Sequence, residues 1–261
     1  LHAEWNGITP TDYVFPSFLF IVGVSIALSF SRQKEQGKNR TEMTKKVLLR
    51  SVKIYAVGIF LWLWPSFNFE GIRWVGVLPR IAFVYLACAL LFLYTSRKVQ
   101  LYLGIALLFF YWIVMAYVPV PGIGVPDLSV PEKNWAHYLD NLLLPGRLWK
   151  HTWDPEGILS TLPAIATGLM GMMAGYLLLK KEELSHRVNQ LFFFGFLLLF
   201  SGDVMQWFFP LNKNLWSSSF SLFMGGVSAL ALAAAVYVFD LKKMKFRFQF
   251  AHVFGVNSIF A

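Results

Sequence analysis

Cysteine is almost missing from this sequence: its 261 residues carry one, Cys88, and that one lies inside an apolar run. A single cysteine excludes an internal disulfide, and apolar surroundings keep a thiol in its unreactive protonated form, which argues against a cysteine nucleophile. Charge is scarce too, at 14% of residues against 57% hydrophobic and 18% aromatic, with a mean hydropathy of +0.55. That balance lies far outside the range of soluble domains and defines a polytopic membrane protein. There is no phosphate-binding glycine loop and no dinucleotide GxGxxG. The nearest thing to a nucleophile elbow, Gly23-Val24-Ser25-Ile26-Ala27, sits within an apolar helix and lacks the second glycine, so serine hydrolysis has no support. His137, His151 and His186 stand in connections without partners at metal-ligand spacing, so polar roles are expected of them and no metal. Internal repeats and low-complexity tracts are also missing.

What is present is a succession of apolar runs. From Tyr13 to Phe30 no charge occurs, which is long enough to cross a hydrocarbon core as a helix rising about 1.5 Å per residue. Further spans are expected at about 54–67, 74–94, 101–118, 158–179, 188–209 and 215–239, with an eighth starting near 250. The sequence therefore predicts an all-α transmembrane bundle of about eight spans, a single domain over 1–261. It begins at Leu1 and stops within an apolar run, so it is expected to be incomplete at both ends. The longest connection, about 119–157, has no run able to span and is expected outside the bilayer with a function or local fold of its own.

The net charge of +9 is distributed rather than gathered in a basic domain, so nucleic acid is not an expected partner. On the alternation of spans, one set of connections holds roughly sixteen Lys and Arg and the other about five, which assigns the first set to the cytoplasm. The His2 end and the connection 119–157 then face outward. All ten tryptophans fall in the outer connections or outer halves of spans, more than interfacial anchoring at both faces requires, and some suit stacking on a sugar ring.

Chemistry-bearing residues gather just before the first span: His2, which titrates near neutrality, with Trp5, Asn6 and Asp12 in a turn-rich entry. Proton transfer at the membrane boundary is the chemistry they suggest. Within spans, a charge costs a few kcal/mol and usually lines a cavity. Arg80 and Asp203 are the clear cases, at similar depth in their outer thirds, and are expected to pair with each other or to hold substrate. Gly168, Gly171 and Gly175 have the spacing of a close helix–helix contact. Asn257 and His252 belong to the last, cut-off span.

These residues carry a resemblance. The stretch HAEWNGITPTDYVFPSFLFIVGVSIALSF resembles the signature of the heparan-alpha-glucosaminide N-acetyltransferase family and its bacterial relatives, and VGVLPRIAFVYLACALL, DPEGILSTLPAIATGLMGMMAG and GVNSIF agree in the same order. The family is similar in being multi-span, and it moves an acetyl group from cytoplasmic acetyl-CoA to an amino sugar across the membrane. Carried over residue by residue, the resemblance makes His2 the catalytic histidine, with Asn6 and Asp12 beside it. Trp5, Arg80, Asp154, Glu156 and Asn257, which lie in these stretches, are substrate-binding candidates, and Asp203 joins them as a charge within a span. Pro79 stands where the family commonly has Gln. A preceding span, with an asparagine that works beside the histidine, is absent from this chain.

Acyl transfer from a thioester to an amine needs a base, donors for the developing oxyanion and a passage for the donor's arm. His2 is expected to act as the base, or to be acetylated itself and pass the group on. Asp12 is expected to orient the imidazole, and Asn6 or Arg80 to polarise the carbonyl. The phosphates of acetyl-CoA would meet Lys242, Lys243, Lys245 and Arg247, or the basic connection 32–50. The expected partners are the lipid bilayer and a small amino sugar or glycan end, a homodimer is allowed, and the expected location is a bacterial inner membrane with the His2 end in the periplasm. Two other readings stay open: a transporter, which lacks inverted-repeat evidence, and an acyltransferase acting on hydroxyls of envelope polysaccharide.

Overall fold

The computed structural model describes residues 3–244. The expectations placed on His2, Lys245, Arg247, His252, Asn257 and a span from near 250 lie outside the described residues. Among the described residues every regular element is helical. A short 3-10 turn, Pro10–Tyr13, leads into α1 (Val14–Glu35), followed by α2 (Arg40–Leu63), α3 (Val77–Tyr94), α4 (Arg97–Tyr117), the short α5 (Trp135–Leu143), α6 (Thr161–Leu178), α7 (Leu184–Met205) and α8 (Ser218–Ala235). A π-type turn, Val236–Leu241, prolongs α8.

Six helical segments are long and apolar enough to cross a membrane: Pro10–Glu35, α3, α4, α6, α7 and Ser218–Leu241. The segment expected at 54–67 belongs instead to α2, which starts at Arg40 and carries Lys45, Lys46, Arg50 and Lys53 along its first half. Only its last ten residues, 54–63, are free of charge, so α2 is not among these six, although its 24 residues run alongside α3.

Among these six, α6 has the largest share of its apolar window buried, 67% against 22% for α7 and 28% for α4, and so forms the centre of the bundle. Its small residues explain this position. A Cβ on Gly171 would lie 1.9 Å from the Phe20 carbonyl oxygen, and one on Gly23 would lie 1.9 Å from that of Gly168, so α1 and α6 touch backbone to backbone. Lipid offers apolar helices no hydrophobic reason to associate, and close approach through small residues supplies the dispersion contact instead. The α7–α8 pair uses the same device, with Gly226 against the Leu199 backbone and Gly202 against that of Phe223. Gly171→Val is expected to cost at least about 3 kcal/mol, the upper range for overpacking, because neither backbone can yield. The readout is loss of the monodisperse peak and a lower Tm in detergent.

The connections sort into two ends. At one end lie the entry to α1, the 64–76 connection, the α5 region and the 206–217 connection, joined by Gly7 N–H to Leu211 O (2.8 Å), Trp5 Nε1 to Leu128 O (2.8 Å) and Tyr111 Oη to Leu215 O (2.5 Å). At the other lie the α1–α2, α3–α4 and α6–α7 connections with the exit of α8. The first end holds the polar chemistry.

Candidate active site

Two cavities meet at that end. The outer one, a cleft of about 720 Å³, lies between the α1 entry and the 149–156 segment. Its walls are Phe15, Trp149 and Trp153, with Glu4, Arg73, Lys150, Glu156 and Lys213 supplying charge of both signs. The inner one, about 400 Å³, is a groove between α3 and α6 lined by Arg80, Phe83, Leu86, Ala87 and Leu90 on one side and Gly157, Ile158, Thr161 and Ile165 on the other. Glu156 lines both.

The α1 entry is held from several directions. Asp12 is buried; its Oδ2 accepts the Thr9 N–H (2.9 Å) and hydroxyl (2.8 Å), closing a capping box on the first helical turn, and its Oδ1 lies 3.1 Å from Lys213 Nζ. Asn6 Oδ1 accepts from Asn212 Nδ2 at 3.0 Å, and Trp5 meets Trp153 edge to face at 5.0 Å. These contacts fix the backbone that follows His2 against the rim of the outer cleft.

A residue that sequence reasoning missed organises that rim. Arg73 donates from Nε and Nη2 to the two oxygens of Asp154 (2.7 and 2.6 Å) and from Nη2 to Glu156 Oε2 (2.5 Å). Its guanidinium stands 5.8 Å from the Trp62 ring and 5.0 Å from that of Trp149. Asp154 also accepts the backbone N–H groups of Trp149 (3.0 Å) and Glu156 (2.9 Å), so this buried carboxylate is fully engaged in holding the segment together. The available signal was a lone arginine between aromatics in an outer connection otherwise poor in basic residues.

Arg80 is 1% exposed. Its Nη2 donates to Gly157 O (3.1 Å) and to the Ser160 hydroxyl, and its guanidinium lies 5.2 Å from the Trp216 ring. Nε and Nη1 are buried with no hydrogen-bond partner among the described residues. The expected pairing with Asp203 does not occur. Gly202 packs onto α8, so the next position, about 100° around the helix, faces outward, and there Asp203 is exposed and accepts from Gln206 Nε2 at 2.6 Å.

Asp140 on α5 lies beneath the same turn. Its Oδ1 accepts the Ile158 N–H at 2.8 Å, and a Cβ on Gly157 would collide with its Oδ2 at 1.9 Å. Burial pushes its carboxyl up to about 7, the neighbouring Asp154 adds to this, and the Ile158 N–H and Arg80 oppose it. The folded state therefore holds this proton more tightly than the unfolded chain, whose carboxyl titrates at about 3.9, and stability falls as pH rises from about 4 to about 7. Asp140→Asn keeps the acceptor for Ile158 and removes the titration. The Tm difference between wild type and this variant is expected to change between pH 5 and pH 8, with the variant gaining relative to wild type at the higher pH; a pH-independent difference would refute the assignment.

Lys242 and Lys243 lie at the opposite end of the bundle, just past the π-type turn, with Lys242 Nζ 5.5 Å from the Tyr237 ring. The candidates Trp5, Asn6, Asp12, Arg80, Asp154 and Glu156 are all brought to one end, whereas Asp203, at the same end, faces outward from the bundle.

Fold and site together define an integral membrane protein of helical type whose polar, tryptophan-walled site opens at one end of the bundle. Residues 5–203 match the family profile described as heparan-alpha-glucosaminide N-acetyltransferase, catalytic, and the chain belongs to that family. It is 27% identical to the mouse heparan-alpha-glucosaminide N-acetyltransferase over 314 aligned positions, covering 99% of this chain and 48% of the relative. Against the human enzyme of the same name the figures are 28%, 99% and 47%. The chain thus spans about half the length of the curated relatives it matches.

Proposed function

We propose that this chain is the catalytic part of a membrane N-acetyltransferase that moves an acetyl group from cytoplasmic acetyl-CoA to the amine of an amino sugar on the other side of the membrane. The observation that carries the reading is Arg80: a buried guanidinium with two nitrogens unpartnered among the described residues, on a groove that shares Glu156 with an aromatic cleft. Arg73 and Arg80 already face the carboxylates Asp140, Asp154 and Glu156. A charge-compensated pocket has little use for a preformed anion. It suits a thioester carbonyl, neutral in the ground state and negative only as the tetrahedral centre forms.

In this reading the acceptor sugar lies in the outer cleft on Trp149 and Trp153, with Glu156 beside its amine. The amine nitrogen attacks the carbonyl carbon, the C–S bond breaks, and the thiolate leaves while His2 takes the proton lost from nitrogen. Alternatively His2 first carries the acetyl group on a ring nitrogen. Asp12, tied to Thr9 and Lys213, fixes the entry and supports the imidazole. The α2 helix joins the six apolar helices as a further span, the bundle sits in a bacterial inner membrane, and the cleft faces the periplasm.

The test is transfer of labelled acetyl from acetyl-CoA to glucosamine by the purified full-length protein; absence of transfer alongside acceptor transport into proteoliposomes would replace this reading with a transporter. A mass increase on the peptide carrying His2 after acetyl-CoA alone selects the carrier route, and its absence selects the base. For orientation, a cysteine at Val125, which is 74% exposed, is expected to react with an impermeant maleimide in intact cells, against the low background of the buried Cys88. Labelling only after permeabilisation would invert the topology.

A further inference from the structure

The groove that begins at Arg80 has a second end. Its α3 wall, Arg80, Phe83, Ala87 and Leu90, follows one helical stripe, and the next position on that stripe is Tyr94, 55% exposed at the last residue of α3. Arg40, the first residue of α2, lies 5.6 Å from the Tyr94 ring, whose hydroxyl is fixed by Thr44 at 2.8 Å. Arg97, the first residue of α4, lies 4.3 Å from the Tyr176 ring, which stacks on Phe92 at 6.0 Å. Lys34 Nζ sits 4.3 Å from the Phe92 ring and donates to Phe92 O at 3.2 Å, and it is within charge–charge range of both arginines.

Topology and headgroup anchoring alone predict long basic side chains that splay freely into the interface. These three are instead each pinned on an aromatic ring and drawn toward one another. None forms an ion pair among the described residues, where the neighbouring Glu42 is taken by Lys46. Arg40 and Arg97 moreover occupy the first turns of helices, where the macrodipole disfavours cations and favours an anion. Like charges gathered beside two helix N-termini are stabilised by an anion that bridges them.

We propose that Lys34, Arg40 and Arg97 form a site for a phosphate ester, the diphosphate or phosphomonoester of an elongated ligand whose remaining length follows the α3 groove to Arg80. The inference rests on the acetyl-CoA reading above, in which the phosphates enter at the basic end. Of the two places expected from the sequence, the 242–247 segment and the connection 32–50, it selects the second and adds Arg97 to it. Arg80 and Tyr94 are fourteen residues apart on one helix, about 21 Å, a separation that demands an extended arm. A phospholipid headgroup offers the same phosphate ester.

The experiment compares acetyl-CoA with acetyl-pantetheine, which lacks the phosphates, as donors for the full-length protein and its Arg40→Gln/Arg97→Gln variant. Wild type is expected to favour acetyl-CoA in KM, and the variant to lose that preference by at least about tenfold, since each charge-assisted contact contributes about that factor. In parallel, thermal stabilisation by phosphatidylglycerol vesicles is measured against phosphatidylcholine vesicles. An unchanged donor preference with loss of the phosphatidylglycerol effect keeps the site and assigns it to a lipid headgroup. Wild-type behaviour of the variant in both arms overturns the proposal while leaving acetyl transfer standing, and no transfer by wild type overturns the functional reading instead. If the variant fails to fold, Arg97→Lys, which keeps charge but not the planar fork, is expected to show the same loss of preference to a smaller degree.

Discussion

Arg80→Lys is expected to lower kcat for acetyl transfer by about 10²- to 10³-fold, the usual consequence of losing an oxyanion donor, with KM for acetyl-CoA changed far less. The lysine ammonium reaches Gly157 O and the Ser160 hydroxyl, the positions that Nη2 occupies now, and keeps a cation beside Trp216. What it lacks is the planar fork whose Nε and Nη1 have no partner among the described residues. Those two donors have no structural duty, so their loss touches the transition state and spares the fold. A kcat within a few-fold of wild type, with unchanged Tm, would remove Arg80 from the chemistry.

Arg73→Ala is expected to be the most damaging substitution for stability, at about 3–5 kcal/mol. Removing the guanidinium leaves Asp154, 3% exposed, and Glu156 side by side without their shared cation and strips Trp62 and Trp149 of the group between them. The loss falls on the wall shared by the two cavities, so activity should vanish even where the protein can still be purified. Arg73→Ala with Asp154→Asn should recover part of the Tm, because the second change removes one uncompensated charge. Equal Tm for single and double variants would show that the pair is not the source of the effect.

The sequence revealed depth along the helices far better than direction around them. Arg80 in the first turn of α3 and Asp203 in the last turn of α7 stand at the same end of the bundle, yet one points into the centre and the other outward, because azimuth on α7 is set by where Gly202 meets Phe223. The glycine spacing of α6 was legible because small residues in an apolar run have few other uses, and α6 indeed meets α1 through it. The apolar run from residue 54 is only the last part of a helix that begins fourteen residues earlier, at Arg40, among cations, because a helix continues through charged residues that apolar content alone does not mark. Gathering Arg73, Asp140, Asp154 and Glu156 depends on pairings over sequence separations such as the 81 residues between Arg73 and Asp154, which no local pattern encodes.

The direct backbone contact of α1 with α6, and of α7 with α8, has a mechanical consequence. Pairs that interlock without intervening side chains cannot slide, so each behaves as one stiff plate. The helix that follows His2 and the helix that presents Gly157 and Ser160 to Arg80 then travel together. Any relative motion within the bundle would then run between the plates, along the seam where Ser228 donates to Ser17 at 2.9 Å and Gly225 packs on Met170.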